Sequence, residues 1–273
     1  MRNNNVLGLL FSNMHDEALR DLTALRALGS VPFGGRYRLI DFTLSNMVNA
    51  GITRVGVITK SNYRSLLDHL GSGKPWDLAR KRDGLCLFPP YITYGNGARA
   101  SRVEELHSIL KFLSMAEQEY VFCCDCDVVC NLDLQQMFDY HKQKQADVTI
   151  SYQHGRLPKS HEGRMTFSMD QSGEIHEILI SPQTQEEYDY SLNMVIVKKS
   201  LLISVIKDAV SRNYTDMGRD ILQRGLGHYR MFGYRVEGFS PCIDSMQSYF
   251  SANMALLDPG VREKLFVSER PVY

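Results

Sequence analysis

Residues 40–59 read IDFTLSNMVNAGITRVGVIT, and this stretch decides the fold. Ile40 to Ala50 keeps helical spacing and stops at Gly51, the residue type most often found just past a helix end. Arg54 to Thr59 is then a short, nearly unbroken apolar run, as expected of a strand buried on both faces of a parallel sheet. The unit repeats on either side. Upstream, Val6 to Phe11 (VLGLLF) is another buried run. Downstream come a helix at Tyr63 to Leu70 and helical spacing through Val103, Leu106, Leu110 and Leu113. A strand at Tyr120 to Cys124, a helix at Gln135 to Lys144 and a strand at Asp147 to Tyr152 follow. Strands alternating with helices predict an α/β fold: a doubly wound, mixed but mostly parallel sheet flanked by helices.

The second half changes rhythm. Met165 to Met169 and Glu174 to Ile180 surround Asp170-Gln171-Ser172-Gly173, the pattern of a hairpin. Leu192 to Val197 and Tyr229 to Val236 read as strands, with a helix at Ser200 to Val210. A last helix carries Ile243, Met246, Phe250 and Leu257 on one stripe. Gly71 to Tyr94 is the longest stretch without periodicity, and long loops of this kind are often functional.

The chain has 273 residues, with 31 Lys+Arg against 31 Asp+Glu. That neutrality argues against a general nucleic-acid or anionic-membrane binder, either of which needs a basic excess. No apolar run reaches the roughly 18 residues that cross a bilayer, and Val6 to Phe11 is too short for a signal-peptide core. A cytoplasmic protein is expected. Four of the six cysteines, Cys123, Cys124, Cys126 and Cys130, fall together, which suggests a metal knuckle. Zinc sites pair two such knuckles, however, and neither a second one nor a His pair is present, so buried thiols are expected.

Four segments carry a family resemblance: VPFGGRYRLIDFTLSNMVNAGI (Val31 to Ile52), GSGKPWDLARKRDGLCLFPPY (Gly71 to Tyr91), TDMGRDIL (Thr215 to Leu222) and SANMALLDP (Ser251 to Pro259). Together they resemble bacterial glucose-1-phosphate adenylyltransferase (ADP-glucose pyrophosphorylase). The resemblance implies a Rossmann-like nucleotidyltransferase domain of the GT-A type over residues 1–258. It also implies that residues 259–273 are a linker toward a left-handed β-helix domain, whose repeats this chain lacks, and hence a fragment of a longer protein. The implied reaction makes ADP-glucose and pyrophosphate from ATP and glucose 1-phosphate with Mg²⁺.

Adenylyl transfer needs backbone N–H groups and a cation around the triphosphate, a second cation for the sugar phosphate, and carboxylates to place Mg²⁺. Aligned on the family motifs, this chain has lost most of them. The glycines of the phosphate loop fall on Asn13, Met14 and Asp16, and its arginine on Ala18. The lysine of the A-K-P motif falls on Leu28, and the sugar-phosphate lysine on Ser181. The glycine before the first metal carboxylate is Cys126, and the second metal carboxylate is Cys242. Asp127, the first metal carboxylate, survives as a candidate ligand; its plainer reading is a surface or capping residue. Asp244, two positions past Cys242, is a poor substitute and reads as a helix cap. Asp16 and Glu17 are expected to occupy the anion-binding end of the next helix.

The remaining positions are open to two readings each. Tyr94 and Ser191 align with substrate-side positions but also suit ordinary polar sites. Arg20 and Arg26 lie where the family binds regulatory anions. Arg36 and Arg38, in the P-F-G-G turn, pair internally with a group such as Asp41 or face a phosphate. Trp76 anchors its loop or serves an interface.

Losing a single positioned electrostatic donor costs about 2.7–4 kcal/mol of barrier, so several losses together predict activity near background. The pattern resembles the non-catalytic D-type branch of the family, supported by Cys130-Asn131-Leu132-Asp133 and by Asp244 to Phe250. That branch implies a regulatory subunit needing no cofactor of its own, partnered with a catalytic subunit in a hetero-oligomer, with a sugar phosphate or nucleotide as a further ligand. The alternative is an active nucleotidyltransferase with a rearranged phosphate loop, retaining Mg²⁺.

Overall fold

Alternate residues of the first strand feed two separate cores. Val6 and Leu10 pack on one side of the sheet with Leu44, Met47 and Val57, while Leu7, Leu9 and Phe11 pack on the other with Leu106, Leu113 and Ile206. A strand with both faces covered must lie in the middle of a three-layer α/β body, because successive side chains point to opposite faces. The structure, a computed structural model, describes residues 5–12, 16–17, 19–60, 62–90, 101–157, 163–182 and 187–273, with the Arg20 side chain outside that description.

In chain order the elements are β1 (Val6–Phe11), α1 (Arg20–Thr23), β2 (Pro32–Phe33), β3 (Tyr37–Arg38), α2 (Leu39–Asn49), β4 (Arg54–Ile58), α3 (Arg64–Leu70), β5 (Gly84–Phe88), α4 (Arg102–Ser108), α5 (Leu110–Met115) and β6 (Tyr120–Asp125). There follow α6 (Leu134–Gln143), β7 (Val148–Arg156), β8 (Met165–Met169), β9 (Ile175–Ile180), β10 (Glu187–Lys198), α7 (Lys199–Ser211), β11 (Met231–Arg235), α8 (Met246–Ala255) and α9 (Pro259–Leu265). Among the described residues the main sheet runs β11-β7-β10-β6-β1-β4-β5, with β8 and β9 attached beside β10. β5, β4, β1 and β6 are mutually parallel, whereas β10 is antiparallel to β6, β7 and β8. This is the mixed, mostly parallel, doubly wound sheet that the sequence predicts.

Several local expectations change. The aperiodic stretch 71–94 contains β5, which pairs with β4 along its whole length. Helical spacing across 103–113 is interrupted at Ile109, whose φ of −104° and ψ of 13° separate α4 from α5. TDMGRDIL holds a wide π-type helix at Met217–Gln223, capped by Asp216 through the Arg219 N–H.

The expected stripe of the last helix is reversed. Ile243 is buried before α8 begins, while Met246, Phe250 and Leu257 are exposed by 41%, 60% and 68%. The helix docks instead through Ala252 and Tyr249, whose hydroxyl donates to the Pro32 carbonyl at 2.7 Å. Two apolar faces compete on this helix, and periodicity alone does not choose between them.

Residues 259–273, read as a linker, pack on the same body. Leu265 is fully buried, and the Phe266 ring stacks on Tyr37 at 5.4 Å. The Tyr273 N–H donates to Ser45 Oγ at 3.0 Å, and Arg270 pairs with Asp133 at 3.2 Å. No helix among the described residues is long and apolar enough to cross a membrane.

His141 on α6 is almost wholly buried, with Nδ1 2.7 Å from Thr149 Oγ1 and its ring edge-on to Tyr120. Burial pushes its pKa down to about 4, and Lys198 adds to the effect. The unfolded chain therefore takes up a proton that the fold refuses. Stability present above about pH 6.5 is lost as pH falls toward 4, by roughly 3 kcal/mol in total. Urea unfolding across that window should show this slope in the native chain and a flatter one in His141→Phe. Equal slopes would remove His141 as the cause.

Candidate functional site

Among the described residues, positions that should hold phosphate and metal lie beyond the C-terminal ends of β1 and β6, where ligands of open α/β sheets usually bind, and they make contacts within the protein itself.

At the phosphate end, Asp16 comes five positions after Phe11, the last residue of β1. The Leu28 N–H donates to its Oδ1 at 3.0 Å, so a carboxylate accepts a backbone donor of the turn at Leu28–Ser30. Thr23 Oγ1 donates to the Asp16 carbonyl. The carboxylate thus holds this turn. Glu17 is exposed. The Leu28 side chain is fully buried, in one apolar cluster with Val31, Phe33, Phe42 and Ile243. Gly29 is closely approached: a Cβ there would stand 3.2 Å from Cys126 Sγ and 3.5 Å from Ser12 Cβ. Cys126 and the turn are thereby packed against each other with no room between. Arg26 is half-buried beside this turn. Asn13, Met14, Ala18 and Tyr94 lie outside the described residues.

At the end of β6 stand two carboxylates, and each faces a buried or half-buried arginine. Arg102 donates to Asp125 Oδ1 at 2.5 Å, and its guanidinium lies over the Phe11 ring. Asp127 is fully buried, so its reading as a surface residue does not hold. The segment 240–244 pairs back onto residues 127–129, the Ile243 N–H donating to the Asp127 carbonyl at 2.6 Å and the Val129 N–H to the Pro241 carbonyl at 3.1 Å. This brings Cys242 beside Asp127, and its thiol donates to Asp127 Oδ2 at 3.2 Å. The two positions aligned with metal carboxylates do converge, but one of them is a thiol.

Arg164, at the entry to β8, completes the cluster, and the sequence reading did not single it out. Its Nη2 donates to Cys242 Sγ at 2.8 Å and lies 3.7 Å from Asp244 Oδ2, while Nη1 donates to the Ser191 carbonyl at 3.1 Å. Burial works against the charged guanidinium, but Cys242, Asp127 and Asp244 outweigh it and leave its pKa above the usual arginine value. Burial pushes the Cys242 thiol well up, with Asp127 adding to the shift, so the thiol keeps its proton. Asp244 does not cap α8; Ser245 does, through the Ser248 N–H, and Asp244 is buried against Arg164 instead. Only the charge of a lone arginine in Gly163-Arg164-Met165 hinted at this, since nothing local directs that side chain inward.

Ser181 and Ser191 support the same group. Ser181, with φ of 53°, donates its N–H to the Arg164 carbonyl at 3.0 Å and accepts the Gly163 N–H on its hydroxyl at 2.7 Å. Ser191 is fully buried at a bulge in β10, and its hydroxyl accepts the Asn193 N–H. Both serve the scaffold around Arg164.

The Arg38 N–H donates to Asp41 Oδ2, and its guanidinium donates to Ser65; His69 Nε2 lies 2.6 Å from Asp41 Oδ1. The internal role holds for Arg38, with Ser65 as the side-chain partner. Arg36 is exposed over Tyr37. Trp76 is buried against His69 and anchors its loop. All six cysteines are free thiols, and burial raises Cys123 and Cys130 to about 12. No group of three metal-ligating side chains suited to a metal ion occurs among the described residues.

The doubly wound, mostly parallel sheet defines a class, and residues 17–258 match the nucleotidyl transferase family. The chain belongs to that family. Among its relatives, the glycogen biosynthesis protein GlgD of Bacillus subtilis (strain 168) is 31% identical over 273 residues, covering 100% of this chain and 69% of that protein. The protein of the same name from Geobacillus stearothermophilus is 34% identical over 272 residues, covering 99% and 69%. The glucose-1-phosphate adenylyltransferase of Thermosipho africanus (strain TCF52B) is 32% identical over 259 residues, covering 93% and 62%.

Proposed function

We propose that the chain is a catalytically impaired, regulatory subunit in ADP-glucose formation for glycogen biosynthesis, working in the cytoplasm beside a catalytic glucose-1-phosphate adenylyltransferase. The names of its relatives support the pathway. One observation carries the impairment. At the phosphate end the protein's own Asp16 carboxylate takes the Leu28 N–H, and the side chain at the family's lysine position is buried in the core. A triphosphate arriving there meets a carboxylate where it needs a cation. Each missing donor costs about 2.7–4 kcal/mol of transition-state stabilisation, and the protein has little covalent chemistry with which to compensate.

The test is Mg²⁺-dependent exchange of labelled pyrophosphate into ATP. The isolated chain should stay at background. Added to a catalytic adenylyltransferase subunit, it should change that subunit's KM or effector response. ADP-glucose synthesis by the chain alone, abolished in Asp127→Asn, would instead establish the active alternative with a rearranged loop. Calorimetric titration with ATP, ADP-glucose and glucose 1-phosphate reads separately whether a sugar phosphate or nucleotide is still bound.

A further inference from the structure

The family resemblance implies Mg²⁺ between Asp127 and the residue at position 242, and the residues present do not fit that ion. Mg²⁺ demands hard oxygen ligands in near-octahedral geometry and keeps several waters. Position 242 supplies a sulfur in place of an oxygen, and its S–H donates to Asp127 Oδ2 at 3.2 Å. On the far side of the same sulfur, 2.8 Å away, stands Arg164 Nη2. The guanidinium is 3% exposed, Asp127 0%, Cys242 8% and Asp244 1%, so the group is closed to bulk water. Its positive charge lies 3.7 Å from Asp244 and one thiol away from Asp127. Ser191 and Ser181 hold it there through backbone carbonyl and N–H groups.

We propose that Arg164 is a resident cation in place of the divalent metal, binding Asp127 through Cys242 and Asp244 directly, so that this chain takes up no Mg²⁺ or Mn²⁺ at the cluster. A fixed guanidinium differs from a metal in what it offers. It neutralises the carboxylates permanently, but it has no exchangeable coordination position to lend to an entering phosphate. A divalent ion would have to displace a guanidinium that is held by Cys242, Asp244 and the Ser191 carbonyl. The inference is independent of the regulatory reading: activity in the exchange assay without bound metal would end that reading and leave this one intact.

The experiment is a titration of the full chain with Mn²⁺, following the free ion by electron paramagnetic resonance. The wild-type chain should leave millimolar Mn²⁺ free, and its thermal midpoint should not move with added Mn²⁺. The double variant Arg164→Met/Cys242→Asp restores a carboxylate and removes the competing cation. It should bind one Mn²⁺ with affinity about 10- to 100-fold above the wild-type chain, the range by which groups around a metal tune its binding. Its midpoint should rise with Mn²⁺, and Asp127→Asn in that background should abolish both effects. One tightly bound Mn²⁺ on the wild-type chain, lost in Asp127→Asn, overturns the proposal. So does a double variant that folds and binds no Mn²⁺. The wild-type titration decides even where the double variant fails to fold.

Discussion

Leu28→Lys should unfold the chain more readily without restoring any nucleotide chemistry. The substitution puts back the lysine that the family motif places there, so a purely sequence-based view expects a gain of phosphate affinity. The structure expects the reverse. Leu28 is fully buried among Val31, Phe33, Phe42 and Ile243, and its backbone N–H is held by Asp16. The new side chain enters an apolar cluster. An unpaired ammonium there is either neutralised at the expense of a large pKa drop or escapes by prying the turn open. Either route, added to the lost leucine packing, places the cost above about 4 kcal/mol, in the range reserved for buried unpaired charges. At about 2–4 °C per kcal/mol for a domain of this size, the thermal midpoint should fall by roughly 10 °C or more. Leu28→Ala, which only opens a cavity, should cost about 2–5 kcal/mol. A Leu28→Lys protein with an unchanged midpoint and new affinity for ATP would show that the side chain faces a ligand cleft after all.

The second large effect is expected at Arg164. Arg164→Met preserves most of the side-chain volume but removes the positive charge beside Asp244, and one thiol away from Asp127, in a buried cluster. Removing one partner of a buried pair typically costs about 3–5 kcal/mol, because the charge left behind keeps its desolvation penalty. The loss should therefore be partly reversed by also making Asp127→Asn and Asp244→Asn, since a neutral cluster of similar shape carries no stranded charge. Chemical denaturation of the single and triple variants reads this directly. If the triple variant is no more stable than Arg164→Met alone, the damage comes from packing and the carboxylates are not the stranded groups. The same logic explains why this cluster is tolerated. Two carboxylates left without their metal would be costly, and an arginine from the neighbouring hairpin meets that need.

Much of the fold is legible from local pattern. VLGLLF and RVGVIT are apolar on both faces, so they can only be inner strands, and Gly51 marks the stop between helix and strand. The misreadings have physical causes of their own. β5 is short and carries Cys86 between Leu85 and Leu87 with partly buried faces, so its run does not stand out from the loops around it. The α8 stripe fails because Met246, Phe250 and Leu257 repeat at helical spacing, yet the adjoining flank holds the tyrosine whose hydroxyl reaches Pro32. Periodicity reports that a helix has an apolar face, not which face finds a neighbour.

For the site, the residue substitutions alone establish a deficit. The family motifs' glycine-rich loop, two lysines and one carboxylate do not recur at the aligned positions, and that alone sets the expectation of weak transfer activity. What fills the space is decided only in three dimensions. Arg164 and Cys242 are 78 positions apart, and Cys242 and Asp127 are 115. They meet because β8 pairs with β10 while the segment before α8 folds back on residues 127–129. Side-chain direction at such a junction depends on strand register and burial, which no local stretch encodes. The order of strands and helices could thus be read from the residues alone, whereas the arginine at the centre of the cluster emerged only from long-range pairing, since electrostatic partners are set by distance in space and not along the chain.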